Sequence, residues 1–350
     1  MPEAPQSILT PLTDAAIFLT VCVDPGGEDE VIDLLPDLGG LRRSVGFRAP
    51  DAGLSCVVGI GAALWGRLFD APPPPELHPF KELRGPVHTA PSTPGDLFFH
   101  IRASRLDLCF ELARLITDRL DSKVRVVDEV HGFRSFDERD LLGFVDGTEN
   151  PEGGEAADAV LIADEEDAPH AGGSYLVVQK YTHDLVAWNA LPIEEQEAAI
   201  GRTKLDDVEF ADEDKAPDSH LVLNVIEGPD GEERQIMRFN MPFGRVGSAE
   251  FGTFYIAYAK TAQLIEQMLE NMFLGLGDAT HDRILDFSTA LTGALYFIPG
   301  ADFLDDPPAK GAAESATPAG GEASAEAPAA ADADRPAPPD DGSLGIGGLR

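Results

Sequence analysis

The stretch DLFFHIRASRLDLCFELARLI, residues 96–116, places an apolar strand directly before an amphipathic helix. Its first part is an apolar run of strand length, and its second part repeats apolar residues at helical spacing. A second stretch, GTFYIAYAKTAQLIEQMLENMF at residues 252–273, has the same strand-then-helix plan. The repetition predicts an internal duplication of one structural unit.

The order of elements around these two stretches agrees with a duplication. In the first half the sequence predicts strands at 16–23, 54–60, 97–103 and 124–130, and helices at 28–45 and 106–120. In the second half it predicts strands at 174–181, 221–226, 236–243, 252–259 and 294–298, and helices at 193–201 and 262–273. The order β-α-β-β-α-β is that of a ferredoxin-like unit, so residues 1–145 and 146–305 are expected to form one unit each. Two antiparallel sheets, each covered by helices on one face, would then pack into one α+β body.

The charge of the chain restricts its partners. The 350 residues carry a net charge of −36, of which the segment from Asp306 onward, with eight acids and three bases, contributes only −5. The remaining −31 belongs to the part with globular composition, and such a surface repels nucleic acids and anionic membranes. There is no Cys-x-x-Cys pair, no export signal and no apolar run of the roughly 18 residues that a membrane span needs. These features predict a soluble, cytoplasmic protein.

The C-terminal segment changes composition twice. Residues 306–341 are rich in Ala, Pro, Gly and acids and have no apolar face, which predicts a flexible linker. Residues 342–350 then bring back aliphatic side chains in the sequence SLGIGGL, with Ser343, Leu344, Ile346 and Leu349. Either this spacing is chance, or these last residues are a short docking peptide on a tether.

The sequence GFVDGTENP at residues 143–151 places one carboxylate, Asp146, at the end of an apolar run. Gly147 begins a turn, and Asn150 and Pro151 prevent a regular element from continuing. The arrangement holds an acid at the end of a buried segment on backbone of limited freedom. It is explained equally well by a strained turn and by a functional site.

Three polar residues of the second half stand in apolar surroundings. His220 follows Pro-Asp-Ser and opens the predicted strand LVLNVI, where it is either a metal or haem-iron ligand or a buried, hydrogen-bonded histidine. Arg238 and Asn240 lie two residues apart in MRFNMPFG, so both are expected on one face of a strand. They form either a structural salt bridge, for example to Asp146, or a polar pocket for an oxygen-rich ligand.

Two carboxylates lie four residues apart in HDRILDFSTALTG. Asp282 and Asp286 would share one face of a predicted helix. One of them could accept the Nδ1 proton of a histidine and so make the imidazole a stronger metal ligand. The alternative is a role at the helix N-terminus, through capping or favourable charge.

Taken together, these motifs resemble one protein family. GFVDGTENP, IGRTK at residues 200–204, the Ser-His pair that contains His220, RFNMPFG and DRILDFSTALTG occur in this order in dye-decolourising peroxidases, most similarly in the bacterial B-type group. The similarity extends over about residues 8–303. The family folds as tandem ferredoxin-like units, in a superfamily of dimeric α/β-barrel type, around a non-covalent haem b.

The resemblance implies a role for each motif residue. His220 would be the axial ligand of the haem iron, and Asp282, preferred over Asp286, would be its hydrogen-bonding carboxylate. Asp146 would be the acid/base at the peroxide site, and Arg238 the cation that also contacts haem, with Asn240 in the same pocket. Arg202, in IGRTK, would meet a haem propionate.

The resemblance also implies an activity and partners. The expected function is a haem b peroxidase that uses hydrogen peroxide to oxidise organic reductants such as dyes and phenolics through a ferryl intermediate. Homo-oligomers, from dimer to hexamer, are expected. The C-terminal DGSLGIGGLR is similar to peptides that load cargo into encapsulin nanocompartments, which implies an encapsulin shell as partner and location. A protein that binds or transfers haem or iron without catalysis remains the alternative.

Overall fold

The computed structural model describes residues 4–148, 150–308 and 310. The strands are β1 Ala15–Val23, β2 Ser55–Gly61, β3 Leu83–Arg84, β4 Thr89–Ala90, β5 Leu97–Ala103, β6 Val124–Phe133, β7 Ser174–His183, β8 Met237–Arg238, β9 Met241–Arg245, β10 Glu250–Ala259, β11 Ser288–Ala290 and β12 Ala294–Ile298. The α-helices are α1 Glu28–Gly46, α2 Ala62–Leu68, α3 Leu106–Leu120, α4 Gly153–Val160, α5 Asp164–Asp167, α6 Leu185–Ala190, α7 Ile193–Ile200, α8 His220–Asn224, α9 Ala262–Leu274 and α10 Ala301–Asp305.

All of these strands except the short β3–β4 hairpin belong to one antiparallel sheet. Its order is β6-β1-β5-β2-β12-β7-β10-β8, with β11 paired to β7 and β9 paired to β10. The first half contributes β6-β1-β5-β2 and the second half contributes β12-β7-β10-β8. In both halves the last strand of this path in chain order is followed by the first, the third and the second. The α+β class and the antiparallel pairing agree with the sequence prediction. The two sets of strands are joined edge to edge, however, because Tyr296 and Phe297 of β12 pair with Gly61 and Ile60 of β2.

The apolar strands divide their side chains between two cores. In β1, for example, Ile17 and Leu19 contact a large core shared with α1, α3 and α9, whereas Phe18 points to a second core. This second core stacks aromatic rings of both halves, such as Phe18 on Phe254 with ring centroids 4.2 Å apart. The sheet is thus covered by helices on one face and encloses an aromatic core on the other.

The predicted strand 221–226 is wrong, since α8 occupies its first part. An apolar run of four to six residues fits a buried strand and a buried helix equally well, so periodicity does not distinguish them. Packing against α9 decides the conformation here: the Asn271 side chain donates to the carbonyl oxygen of Leu223 at 3.0 Å. That bond satisfies one of the carbonyl groups that the end of a short helix leaves without a partner.

The predicted strand 236–243 is interrupted between β8 and β9. Asn240 lies in the gap, and its Oδ1 accepts the backbone N–H of Ile256 at 3.0 Å. In a regular ladder a backbone carbonyl oxygen would accept this bond.

The helix predicted around Asp282 is a 3-10 helix, Arg283–Asp286, for which Asp282 is the N-cap. Because a 3-10 helix has three residues per turn, Asp282 and Asp286 do not share a face.

The described residues form one compact unit. No helix among them combines the length and apolar composition needed to cross a membrane. The predicted boundaries at 145/146 and 305/306 stay a prediction. Most of the predicted linker 306–341, and the whole of the predicted docking peptide 342–350, lie outside the described residues.

Candidate active site

A cavity lies beside β7 and β10. Five of the residues predicted from the motifs line it, although they are up to 94 positions apart in the sequence: Asp146, Arg202, His220, Arg238 and Asn240. The sixth, Asp282, lies behind His220.

The ring of His220 is held by a buried carboxylate. Its Nδ1 lies 2.7 Å from Oδ2 of Asp282, whose side chain has no solvent exposure. The other oxygen of Asp282, Oδ1, accepts the backbone N–H of Ile284 at 3.0 Å. Because the carboxylate accepts the proton at Nδ1, the lone pair of His220 is at Nε2, the nitrogen that a metal would use. Asp282 therefore acts both as the helix cap and as the partner of the histidine, two roles that the sequence left as alternatives.

The turn that carries Asp146 is fixed to β8. The Asn150 side chain accepts the backbone N–H of Arg238 at 2.8 Å and donates to the Arg238 carbonyl oxygen at 2.7 Å. Gly147 has a φ of +81°, which a residue with a Cβ adopts only at a cost, and it lets the chain reverse after Asp146. Asn150 thus continues the hydrogen-bonding pattern of the sheet and brings Asp146 next to Arg238 and Asn240.

Asn240, and not Arg238, contacts Asp146 directly. The Nδ2 of Asn240 donates to Oδ1 of Asp146 at 3.3 Å. The described residues include no ion pair between Asp146 and Arg238, so the salt bridge considered from the sequence is not formed. The Nε of Arg238 is buried without a hydrogen-bond partner in the part of the chain that the structure describes. Such a buried donor is costly to leave unpaired and is characteristic of a position prepared for a ligand.

Arg202 reaches the cavity from the end of α7. It is 7% exposed and donates to the Thr148 hydroxyl. Two acidic side chains accompany it, Asp207 at 3.4 Å and Glu209 at 3.9 Å. The guanidinium is therefore held in place by several neighbours at the edge of the cavity.

Comparisons with known proteins identify the family. Models of the N-terminal and C-terminal parts of Dyp-type peroxidases match residues 5–134 and 137–303. The chain belongs to the Dyp-type peroxidase family. It is a peroxidase, an oxidoreductase.

The relatives resemble the chain over nearly its whole length. A dye-decolorizing peroxidase of Brevibacterium linens is 59% identical, with 99% of this chain and 97% of the relative covered. The encapsulated DyP-type peroxidase from Mycobacterium smegmatis, solved by cryo-electron microscopy, has a TM-score of 0.86 and 56% identity over 88% of this chain and 99% of that one. A DypB variant from Rhodococcus jostii RHA1, solved in complex with haem, has a TM-score of 0.84 and 52% identity over 87% and 99%.

Sequence reasoning missed a second acid of this Dyp-type site. Asp140 lines the cavity, and its Oδ1 accepts the backbone N–H groups of Gly143 at 2.8 Å and Phe144 at 3.0 Å. Burial, together with the negative charge of Asp146, raises the pKa of Asp140 to about 7. The available signal was a second carboxylate six residues before Asp146, in front of the same apolar run.

A second histidine of the cavity was also missed. His183, the last residue of β7, lines the cavity, and its two ring nitrogens lie 2.8 Å from the Ser288 hydroxyl and 2.9 Å from the Thr253 hydroxyl. Burial lowers its pKa to about 4, so the ring is neutral at physiological pH. Its sequence context, the end of a strand, carried no functional signal.

Proposed function

We propose that the chain is a haem b peroxidase of the B-type group, in which His220 is the axial ligand of the iron and Asp282 orients it. The observation that carries the proposal is the His220–Asp282 contact of 2.7 Å at the wall of the cavity. A carboxylate on Nδ1 fixes the tautomer and strengthens Nε2 as a donor to a metal.

The residues of the cavity fit haem better at His220 than at His183. Both nitrogens of His183 are already engaged by hydroxyl groups. His220 keeps Nε2 without a hydrogen bond to any described residue, and the adjoining Asn224 side chain donates to the His220 carbonyl oxygen at 2.8 Å, which steadies the residue. The apolar lining from Leu221, Met272 and Leu285 suits the faces of a planar macrocycle.

Asp146, Arg238 and Asn240 are proposed to act on the peroxide. Bound haem supplies the iron that undergoes the redox change. Asp146 would accept a proton from one peroxide oxygen and return it to the other, the oxygen that leaves as water. Arg238, whose Nε has no partner among the described residues, would donate to the oxygen on which negative charge develops. Asn240 would hold the Asp146 carboxylate in position through the contact at 3.3 Å.

Arg202 is proposed to contact a haem propionate. Its buried guanidinium, held by Thr148, lies where a carboxylate at the edge of the cofactor could reach it. Asp207 and Glu209 already offset part of its charge, so this contact would position the propionate more than it would neutralise it.

Replacement of His220 by Ala tests the axial role. The variant should lose most of the Soret absorbance and haem content, because Nε2 is the only proposed protein donor to the iron. His131→Ala is a matched control, since it breaks an exposed His–Glu contact of 2.6 Å at a residue that does not line the cavity. An unchanged Soret band and haem content in the His220 variant would refute the assignment.

Family membership does not favour the alternative of a non-catalytic haem or iron carrier. A carrier has no need of an acid and a cation beside its metal ligand, whereas the cavity contains Asp146 and Arg238 together. Peroxide-dependent oxidation of a dye by the purified protein separates the two functions: a carrier would show haem absorbance without turnover.

Packaging in an encapsulin shell is proposed for the whole protein. The support is the sequence SLGIGGL at the C-terminus and the similarity to a peroxidase described as encapsulated. Residues 306–341 would serve as a linker and 342–350 as the peptide that docks on the shell through Leu344, Ile346 and Leu349. The protein would then be cytoplasmic and inside the compartment, as a homo-oligomer of two to six chains built from units 1–145 and 146–305.

A further inference from the structure

Three side chains outside the cavity converge on one point. His88 lies in the turn between β3 and β4, and His281 and Asp286 follow α9. Nε2 of His88 lies 3.1 Å, and Nε2 of His281 3.0 Å, from the same oxygen, Oδ1 of Asp286. One potential ligand atom from each residue falls within 4.8 Å of the others.

We propose that His88, His281 and Asp286 bind one divalent transition-metal ion of the Zn²⁺ class, with water completing the coordination. Two imidazole nitrogens and one carboxylate oxygen form a common donor set for such ions, whereas Mg²⁺ and Ca²⁺ prefer oxygen ligands alone. None of the three residues lines the cavity, so the site is separate from the haem site proposed above.

The hydrogen bonds from the two histidines to Asp286 can be replaced by bonds from the same nitrogens to a metal. Without a metal, each Nε2–H donates to Asp286; with a metal, each Nε2 offers its lone pair and the proton moves to Nδ1. Nδ1 of His281 lies 3.1 Å from the Thr280 hydroxyl, which accepts or donates a hydrogen bond as the tautomer requires. The two rings are edge to face with centroids 4.7 Å apart, and both Nε2 atoms face Oδ1 of Asp286.

The charge of the cluster suits a cation. Asp286 supplies a carboxylate oxygen beside the two imidazole nitrogens. Arg283 lies 3.4 Å from the other oxygen, Oδ2, which leaves Oδ1 for a monodentate ligand. The repulsion from Arg283 is reduced by its exposure, since 43% of its side chain is in solvent.

A metal at this point would link two distant parts of the chain. His88 comes from the first half, and Asp286 ends the same 3-10 turn that begins at Asp282. Binding would therefore fasten the β3–β4 hairpin to the turn that supports the partner of His220. Since a ligand that binds only the folded state stabilises it, the metal should raise the thermal midpoint of unfolding.

Metal content of the full-length, untagged haem-loaded protein tests the proposal. After dialysis against micromolar ZnCl₂ and then metal-free buffer, the wild type should retain one zinc per chain by mass spectrometry, with iron measured in the same sample. His88→Ala should lower the affinity for zinc by more than the ~10–100-fold that loss of an outer-shell partner costs. Asp286→Asn, which preserves the shape of the side chain, should act in the same direction.

A second metal salt serves as a control. MgCl₂ should give no retained metal and no rise in the thermal midpoint. Absence of zinc from the wild type, or equal zinc in the wild type and both ligand variants, overturns the site. Iron content reports the haem site independently, so failure of one site is distinguishable from failure of the other.

Discussion

The side chain of Asn150 determines where Asp146 lies. Its two hydrogen bonds to the backbone of Arg238, at 2.8 and 2.7 Å, join the turn at the start of the second unit to β8. The carboxylate of Asp146, the guanidinium of Arg238 and the amide of Asn240 are thereby held at the wall of the cavity. The position of each depends on hydrogen bonds made by its neighbours, and catalysis is expected to be sensitive to each of them.

Substitution of Asp146 by Asn, or of Arg238 by Leu, should slow the reaction with hydrogen peroxide. Loss of a positioned acid/base costs roughly 10²–10⁴-fold, and loss of a preorganised donor to developing charge about 10²–10³-fold. The measurement is the bimolecular rate constant with peroxide, by stopped-flow absorbance. Asp278→Asn and Arg245→Leu are exposed, matched controls and should react as the wild type does. Wild-type rates in both site variants would show that the proposed mechanism is wrong.

Asp140 should make stability depend on pH. Its pKa rises from 3.8 to about 7 in the folded protein, so between these values the native state binds more protons than the unfolded state. Raising the pH through this window therefore removes stability, and Asp140→Asn avoids the loss. As the pH rises from about 4 to about 8, the free energy of unfolding of the variant should increase relative to that of the wild type by on the order of 1–4 kcal/mol. Urea unfolding of both proteins at the two pH values measures it; a difference that does not change with pH contradicts the raised pKa.

Among the elements, the pair α7 and α8 brings Arg202 and His220 to the cavity. Gly201 ends α7 in the left-handed region, with φ +101°, and directs Arg202 inward. A Cβ at Gly201 would lie 3.2 Å from Cβ of Leu221, the second residue of α8. The close approach of these two short helices therefore depends on a residue without a side chain.

Replacement of Gly201 by Ala should destabilise the protein. The left-handed conformation costs a residue with a Cβ about 1–2 kcal/mol, and contact with Leu221 adds to this. Gly40→Ala in α1 is the matched control, because nothing lies within 4 Å of its Cβ, and it should stabilise by about 0.5–1 kcal/mol. Urea unfolding of both variants tests the contrast. Equal changes in the two would show that the conformation of Gly201 carries no cost.

For the molecule as a whole, the edge-to-edge pairing of β2 with β12 makes one sheet of both halves. Polar residues of the first half, such as Asp140, can then meet residues of β8 and α8 in one cavity. The acidity of the chain is spread over the same body, since the C-terminal 45 residues contribute −5 of the net −36. Such a charge makes association with anionic partners unfavourable.

Deletion of residues 343–350 should abolish loading into an encapsulin shell and leave peroxidase activity unchanged. The deleted segment contains the regularly spaced aliphatic residues, and all residues of the cavity are retained. Co-expression with the shell protein, followed by purification of shells and assay of their haem content, measures the loading. A deletion of equal length within 306–341 is the control and should load normally. Loading of the protein without its last eight residues would contradict the docking role.

Several features of the site were predictable from local sequence. Asp146, His220, Arg238 and Asn240 are conspicuous because they are polar residues in apolar runs, and all four line the cavity. Asp140 and His183 were missed because an acid beside a turn and a histidine at a strand end are ordinary in sequence. Burial in the fold shifts the pKa of both residues, and the neighbouring charge of Asp146 adds to the shift of Asp140.

The sequence by itself determined the strand and helix types of most elements, because apolar periodicities of 2 and 3.6 record which faces are buried. It also determined the repeat, since the stretches at 96–116 and 252–273 share one pattern. Tertiary structure alone decided that residues 220–224 form a helix and that Asn240 interrupts a strand. These outcomes depend on contacts between residues far apart in the chain, such as Leu223 with Asn271, and local propensity contains no information about such partners.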